Sequence, residues 1–317
     1  MNRSRNKFFR LQGLLAWMIF SALASPENQI PFKCFPEKSG QCNFEQGQAG
    51  AILLTLHQPI KSLSAELWGK PIIFQQMTPT EKNWMAYLGP DLKQAPGNYR
   101  LKIKLRLPSG KDDSIQVPIQ VLAKAYPVEE LTLPKEMVEF PPEIVEQINR
   151  DNKTLIAAMS AINPVCSWQG VFLPPVPGEA TGAFGARRII NQAPKNPHTG
   201  TDFKADSGQE IHAPNNGSVA LIYQGYLTGN SLILDHGCGL YSIYYHLSEI
   251  LVKENDPVKK GDLIAKAGAS GRASGPHLHF GIRLLNSYLD PISFLQVSQM
   301  AEREISGAGS GDNRSGQ

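Results

Sequence analysis

Two short segments of the sequence carry side chains that can bind a metal at evenly spaced positions. The first contains His277 and His279, and the second contains His198 and Asp202. Side chains alternate between the two faces of a strand, so each pair is expected to share one face if its segment is extended. Gly200 lies between His198 and Asp202 and leaves room for a close approach of the backbone. The spacing therefore predicts imidazoles and a carboxylate gathered on strand faces.

This set of side chains suits a catalytic zinc ion. Two imidazoles and one carboxylate are common zinc ligands, and three protein ligands leave the fourth tetrahedral position for water. A closed structural site would more often use cysteine thiolates. A further histidine, His246, ends a predicted strand and could reach the same face.

Three motifs of the sequence resemble, in the same order, the signatures of a known enzyme family. They are HTGTD at 198–202, YYHL at 244–247 and SGPHLHF at 274–280. They look like the motifs of the lysostaphin/LytM-type zinc metalloendopeptidases, the β-lytic metallopeptidases that cut peptidoglycan peptides. The similarity spans roughly residues 172–295. A second, less distinctive similarity connects the upstream region with the amino-terminal domain of some Gram-negative members.

The resemblance implies a role for each of five residues. His198, Asp202 and His279 correspond to the zinc ligands of the family. His246 and His277 correspond to its catalytic histidines, one acting as a base and the other stabilising the oxyanion or donating a proton to the leaving amine. The resemblance further implies one zinc ion per catalytic domain, peptidoglycan peptide stems as substrate, and a regulatory partner or lid function at the amino-terminal domain.

The sequence leaves other interpretations open. A non-catalytic module that binds the cell wall or activates a wall amidase would be favoured by lost motif residues, and none is lost here. A lipoyl-type or biotinyl-type carrier is suggested by the turn at 256–262 but accounts for none of the histidines. One departure from the family concerns the stretch 189–192, which offers no tyrosine to stabilise an oxyanion.

The elements that must position these residues are predicted to be mostly β-strands. The fold class expected is all-β, with a sandwich-like amino-terminal domain and an antiparallel catalytic domain that the resemblance identifies as LytM-like with a duplicated hybrid motif. The predicted strands are 51–57, 64–68, 99–107, 114–121, 217–223, 231–235, 240–246, 263–267 and 277–284, and the predicted helix is 143–162. The predicted division is a signal peptide at 1–24, a β-sandwich-like domain at 25–125, a helical connector at 126–165, the catalytic domain at 166–296 and a disordered tail at 297–317.

Composition and the amino-terminal segment bear on location and partners. The 317 residues carry a formal net charge of only +3, and no long basic block suggests a nucleic acid partner. Basic residues precede an apolar run that ends at Ala24 in a small-x-small pattern, which predicts a secretory signal, with a retained membrane anchor as the alternative. No later stretch is long and apolar enough to predict a membrane span. Together with the resemblance, these features predict export to the periplasm of a Gram-negative bacterium.

Four cysteines are compatible with an oxidising compartment. Cys34 and Cys42 flank a turn-like segment, so a local bridge between them is the favoured pairing. Cys166 and Cys238 could then pair or stay free.

Overall fold

The computed structural model describes residues 30–37, 41–77, 82–132, 140–194 and 196–307. The predicted signal peptide at 1–24 and the last ten residues of the predicted tail lie outside the described residues. The fold is mostly β, as predicted. The described elements are β1 (Phe32–Phe35), β2 (Cys42–Glu45), β3 (Gly50–Thr55), β4 (Ser62–Leu67), β5 (Lys70–Ile72), β6 (Gln75–Gln76), β7 (Asn83–Leu88), β8 (Gly97–Arg106), β9 (Asp112–Leu122), β10 (Val128–Leu131), α1 (Pro142–Ala158), β11 (Ala180–Gly182), β12 (Arg187–Ile190), β13 (Ala193–Pro194), β14 (Thr201–Lys204), β15 (Glu210–His212), β16 (Gly217–Gly225), β17 (Gly229–Asp235), β18 (Leu240–Ile250), β19 (Pro257–Val258), β20 (Leu263–Ala267), β21 (His277–Leu284), β22 (Ser287–Leu289) and α2 (Pro291–Ile305).

The amino-terminal part contains two sheets. The first has the order β1-β3-β7-β6 and the second has the order β2-β9-β8-β4-β5. Strand β8 alternates strictly, because Leu101, Ile103 and Leu105 are buried while the residues between them are exposed. The Cys34–Cys42 disulfide joins the first strand of one sheet to the first strand of the other, which confirms the predicted local bridge.

The carboxy-terminal part is built on a ten-stranded sheet in which every described pairing is antiparallel. Its central path is β11-β14-β21-β18-β17-β16-β19, with β15, β20 and β22 attached beside it. The predicted strands 231–235 and 240–246 lie within β17 and β18, which pair as an antiparallel hairpin. One face of β21 and β18 enters the core through Leu278, Phe280 and Tyr244, all of them fully buried. The histidines of β21 therefore lie on the opposite face.

Helix α1 covers part of that opposite face. Leu155 of the helix and Met159, which directly follows it, pack with side chains of β17 and β18, namely Ile233, Tyr241 and Ile243. Two further contacts fix the helix. The Arg283 guanidinium of β21 donates a hydrogen bond of 2.8 Å from Nη1 to the Met159 carbonyl oxygen. The Tyr223 hydroxyl donates to the Asp151 carboxylate over 2.8 Å. The helix thus lies on the same sheet face as the histidines, further along the strands.

Helix α2 corrects the predicted tail. A disordered segment was expected from residue 297, but the helix continues to Ile305. It begins where the Asp290 side chain accepts a hydrogen bond from the Ile292 backbone N–H, a usual N-cap arrangement. Phe294, Val297 and Ala301 are buried at helical spacing, so packing stabilises the helix. Neither described helix meets the length and hydropathy required to cross a membrane.

Helix α2 also joins the two parts of the chain. Its Phe294 ring contacts Tyr87 of the first amino-terminal sheet and Phe172 of the carboxy-terminal part, with centroid separations of 4.9 Å in both cases. Trp168 packs against the same Tyr87 ring at an interplanar angle of 53°. A second link lies near the connector, where the Cys166–Cys238 disulfide ties the segment after α1 to the turn between β17 and β18. This pairing settles the alternative that the sequence left open.

Candidate active site

Three neighbouring strands bring the candidate residues together. In the register of the sheet, Asp202 of β14 lies opposite His279 of β21, and His279 lies opposite Tyr245 of β18. His277 and His279 are two residues apart on β21 and share its outer face, as the alternation predicted. The site therefore sits on the strand face that α1 leaves open.

The three predicted ligands form a compact triangle. His198 Nε2 lies 2.9 Å from His279 Nδ1 and 3.1 Å from Asp202 Oδ1, and the remaining edge, His279 Nδ1 to Asp202 Oδ1, is 3.0 Å. Ligand atoms bound tetrahedrally to zinc at about 2.0–2.1 Å are separated by roughly 3.3 Å, which is close to these edges. Two imidazole nitrogens and a carboxylate oxygen so arranged fit a divalent cation.

His198 reaches the triangle from a loop. The sequence predicted an extended backbone through 198–202, but strand β14 begins only at Thr201, so that prediction is wrong for the first residues. His198 Nδ1 lies 3.1 Å from the Ala183 carbonyl oxygen. A carbonyl only accepts, so Nδ1 carries the proton and Nε2 presents its lone pair to the triangle.

Gly200 is required by the close packing of this loop, as the sequence indicated. A Cβ atom there would lie 2.5 Å from the Phe280 carbonyl oxygen and 2.6 Å from His279 Nε2. Gly182 of β11 is constrained in the same way by Asp202, since its Cβ would lie 2.6 Å from Oδ2. Both glycines let a backbone segment pass directly beside a candidate ligand.

His246 reaches the site through an irregularity in β18. Tyr245 already faces the site, and regular alternation would turn His246 to the other side of the sheet. The pairing of β17 with β18 shifts register at this point, and His246 has a positive φ of 63°. A β-bulge of this kind redirects a side chain, and the imidazole centroid comes within 4.7 Å of that of His277.

Both candidate catalytic histidines are fixed by backbone carbonyls. His246 Nδ1 lies 2.9 Å from the Ser270 oxygen, and His277 Nδ1 lies 2.8 Å from the Gly275 oxygen. Each Nδ1 therefore donates, and each neutral ring keeps Nε2 as an acceptor. His277 Nε2 lies 3.9 Å from Asp202 Oδ1, so it borders the ligand triangle without being part of it.

Burial and neighbouring charge set the electrostatics of the site. Burial lowers the pKa of His246 to about 4 and also lowers the pKa of His279. Burial acts to raise the pKa of Asp202, but the imidazoles of His198 and His279, whose nitrogens lie 3.1 and 3.0 Å from Oδ1, outweigh it when they carry a proton and hold that pKa below the ordinary value. The carboxylate of Asp202 is thus ionised and the His279 imidazole is neutral near pH 7, which are the protonation states that metal ligation needs of these two residues. His246 is neutral as well, so its Nε2 is free to accept a proton.

Tyr245 belongs to the site and was missed from the sequence. Its ring stacks on the His279 imidazole with an interplanar angle of 10° and a centroid separation of 5.1 Å. The stacking fixes the orientation of the His279 ring from the side of β18, whereas Asp202 contacts that ring from the side of β14. The alternation of β18 could have indicated this face, but only the pairing with β21 shows which histidine the ring meets.

The other three histidines lie apart from the site. His57 is exposed in the amino-terminal part, and His212 lies 3.7 Å from Glu210 on β15. His236 is fully buried, with its ring nitrogens 2.7 Å from the Asn216 carbonyl oxygen and 2.7 Å from the Ser242 hydroxyl. Among the residues that the structure describes, His198, Asp202 and His279 form the single cluster able to hold a metal.

Comparison with known proteins locates a family within the carboxy-terminal part. Residues 196–291 match the family model described as Peptidase family M23, a segment that contains all five site residues. A curated relative from Vibrio cholerae, peptidoglycan DD-endopeptidase ShyB, is 40% identical over 94 residues, which are 30% of this chain and 22% of that protein. DD-carboxypeptidase/endopeptidase Mpg from Neisseria meningitidis is 32% identical over 96 residues, 30% of this chain and 22% of that protein. The chain thus matches about a fifth of the length of these relatives.

A solved structure resembles a larger share of the molecule. A protein from Pseudomonas aeruginosa described as a peptidase M23 superposes with a TM-score of 0.61 at 27% sequence identity. The match covers 78% of this chain and 94% of that chain, so it extends well beyond residues 196–291.

Proposed function

Because the chain contains a peptidase M23 domain of the LytM type, we propose that it is a zinc-dependent endopeptidase that hydrolyses peptide cross-links of bacterial peptidoglycan. The observation that carries the proposal is the triangle of His198 Nε2, Asp202 Oδ1 and His279 Nδ1, with two further histidines beside it. A purely structural role would not explain five polar side chains gathered on one half-buried sheet face.

In this proposal His198, Asp202 and His279 hold one zinc ion. The fit is supported by the ligand-atom separations of 2.9–3.1 Å and by the Ala183 carbonyl, which fixes the tautomer of His198. Zinc bound there would polarise the scissile carbonyl and make a water molecule acidic at neutral pH. Tyr245 would keep the His279 ring in its ligating orientation.

We assign the proton transfers to His277 and His246. His277 Nε2 is an acceptor at the edge of the ligand triangle, so it is placed to take a proton from the attacking water. The His246 ring lies beside that of His277 and would act on the other side of the scissile bond; once its Nε2 is protonated, it would stabilise the oxyanion or donate to the leaving amine. The two roles can be exchanged without changing the ligand set.

The substrate proposal rests on the relatives. The relative ShyB is named a peptidoglycan DD-endopeptidase. Residues 196–291, which match the family model, include the whole candidate site. We therefore propose the bond from D-alanine to the diamino acid of a neighbouring stem as the one cleaved, in the periplasm of a Gram-negative bacterium. The chemistry would belong to residues 166–296, with the preceding domain and connector supporting it.

The test is incubation of the purified protein with defined cross-linked muropeptides, with and without a chelator, followed by mass identification of the products. We expect cross-linked dimers to be converted to monomers, loss of this activity with chelator, and its return on adding zinc. Protein that retains stoichiometric zinc and leaves every cross-linked muropeptide intact would contradict the proposal.

A further inference from the structure

The outer face of the five-stranded amino-terminal sheet carries a column of cations. Arg100, Lys102, Lys104 and Arg106 occupy alternate positions of β8, and all four side chains are exposed. Alternate residues on a strand are about 7 Å apart, so the four charges form one straight row. We call this row the basic column.

The basic column lies in the middle of the sheet rather than at its edge. Strand β8 is flanked by β9 on one side and by β4 on the other. Lys104 lies between Ser64 of β4 and Ser114 of β9, whose short side chains do not cover it. Neighbouring like charges repel, and this arrangement contributes nothing to the packing of the domain.

Acidic residues neutralise only part of the positive charge of the basic column. Within the part of the chain that the structure describes, Arg106 is the single member of the column with a salt bridge, to Asp112 across the hairpin at 2.7 Å. Glu66 lies opposite Lys102 in the register but is not within ion-pair distance of it. The face therefore retains a net positive charge in a protein whose total charge is only +3.

A groove of about 500 Å³ opens at one end of the column. Hydroxyl and charged groups line it beside the apolar Leu105, and its two cations are matched by two carboxylates: the polar residues are Ser62, Ser64, Ser114, Lys104, Arg106, Asp112 and Asp113. Such a mixture can bind carboxylates through the cations, and hydroxyl and amide groups through the serines and Asp112.

The outward residues around the basic column argue against two classes of partner, nucleic acids and lipid bilayers. Its outward residues on β8, β4 and β9 include no aromatic ring that could stack on a nucleic acid base. The one large aliphatic side chain at these outward positions is the half-buried Leu122 at the end of β9, and a single such residue does not form an apolar surface that could enter a lipid bilayer. The other sheet of the sandwich faces α2, where the Ala49 N–H donates to the Ser293 hydroxyl, so the basic column points away from the peptidase sheet.

We propose that the basic column and its groove dock the protein on the carboxylate-bearing polymer of peptidoglycan, at a surface separate from the catalytic site. The inference rests on the proposed function for the identity of the polymer. A second contact raises the effective concentration of cross-links at the catalytic domain, because cleavage then occurs within a bound complex. Small soluble substrates would gain nothing from it.

The test compares two double variants with the same change in charge. K102E/K104E reverses two cations of the basic column, whereas K82E/K93E reverses two exposed lysines of the same domain outside it. Co-sedimentation with intact, insoluble peptidoglycan is measured in a His277→Ala background, so that the polymer is not digested. Cleavage is measured separately in proteins that keep His277, on intact polymer and on a soluble cross-linked dimer.

We expect K102E/K104E to weaken binding to the polymer roughly tenfold at low salt, and the difference to vanish at about 0.5 M salt. Cleavage of intact polymer should fall with it, while cleavage of the soluble dimer stays unchanged. K82E/K93E should bind within twofold of the parent.

Three results would overturn the inference. The first is unchanged polymer binding by K102E/K104E, and the second is an equal loss of polymer binding in both double variants. The third is binding to anionic phosphatidylglycerol vesicles that K102E/K104E weakens, together with polymer binding that it leaves unchanged. Failure of the proposed function is read out independently, because an enzyme that cleaves no dimer can still be tested for binding to the polymer.

Discussion

The site face of the carboxy-terminal sheet and the basic column of the amino-terminal sheet are built in the same way and behave oppositely. Both present polar side chains at alternate strand positions. In the site, burial neutralises His246 and His279 and holds every ring against a fixed partner. In the column, all four charged side chains are exposed, and only Arg106 among them has an ion-pair partner in the described part of the chain. Alternation alone thus produces either a precise metal centre or a diffuse electrostatic surface, and burial decides between them.

Removing a ligand should produce the largest effect and should separate the two classes of site histidine. His279→Ala is expected to abolish zinc binding and activity together. His277→Ala should keep stoichiometric zinc and lower activity by about 10²–10⁴-fold, because it removes a proton acceptor. Metal analysis of both purified variants, with circular dichroism as a check of folding, decides the matter. Equal zinc loss in both variants would contradict the assignment.

A methyl group added at Gly200 should damage the site although no ligand residue is replaced. The new Cβ of Gly200→Ala must displace the Phe280 carbonyl or the His279 ring. We expect zinc affinity to fall by about 10–100-fold, as for other changes next to metal ligands. Competition with a chromogenic chelator measures it, and an unchanged affinity would show that the loop relaxes freely.

A pH effect on stability is expected from a histidine outside the site. Burial lowers the pKa of His236 to about 4, from 6.5 when unfolded. Below pH 6.5 the unfolded chain binds a proton that the folded protein binds only near pH 4, so stability falls as the pH falls through this window. The loss between pH 7.5 and pH 5 should be about 2 kcal/mol.

Urea unfolding of the parent and of His236→Gln at both pH values isolates this contribution from that of the carboxylates. The free energy of unfolding of the variant is expected to be lower at pH 7.5, and its difference from the parent should shrink by about 2 kcal/mol at pH 5. A difference that is constant with pH would exclude a neutral buried imidazole.

The smallest effect on stability is expected in the basic column. Lys104→Gln removes one charge from the row and should change the free energy of unfolding by less than about 0.5 kcal/mol, in the stabilising direction if repulsion dominates. Thermal unfolding at low and high salt measures it. A loss of more than 1 kcal/mol would mean that Lys104 has a structural role and would weaken the contrast drawn above.

The sequence predicted the components of the site better than their assembly. Alternation was enough to place His277 and His279 on one face, and Gly200 indicated a close approach. Asp202 and His279 are 77 residues apart in the sequence, and their contact depends on the pairing of β14 with β21. No local pattern reveals the register of that pairing. The bulge that turns His246 toward the site has no signal in residue type either.

Two further features show where local patterns were insufficient. Helix α2 has buried residues at helical spacing, but the glycine-rich and serine-rich segment beyond it suggested a tail from residue 297. The alternating cations of β8 are visible in the sequence, yet only the sheet order shows that this strand is central and its outer face open. Both the extent of α2 and the central position of β8 are decided by packing and strand pairing in the folded protein, which the propensities of single residues do not contain.

The Cys166–Cys238 disulfide determines where the chain can be divided for study. A fragment beginning at Trp168 would include the entire ten-stranded sheet but would leave Cys238 with an unpaired thiol. In an oxidising buffer two such fragments can become cross-linked to each other. Any gain or loss of activity would then reflect the thiol as well as the missing domain. A fragment intended to test a regulatory role must begin before Cys166, or carry Cys238→Ser.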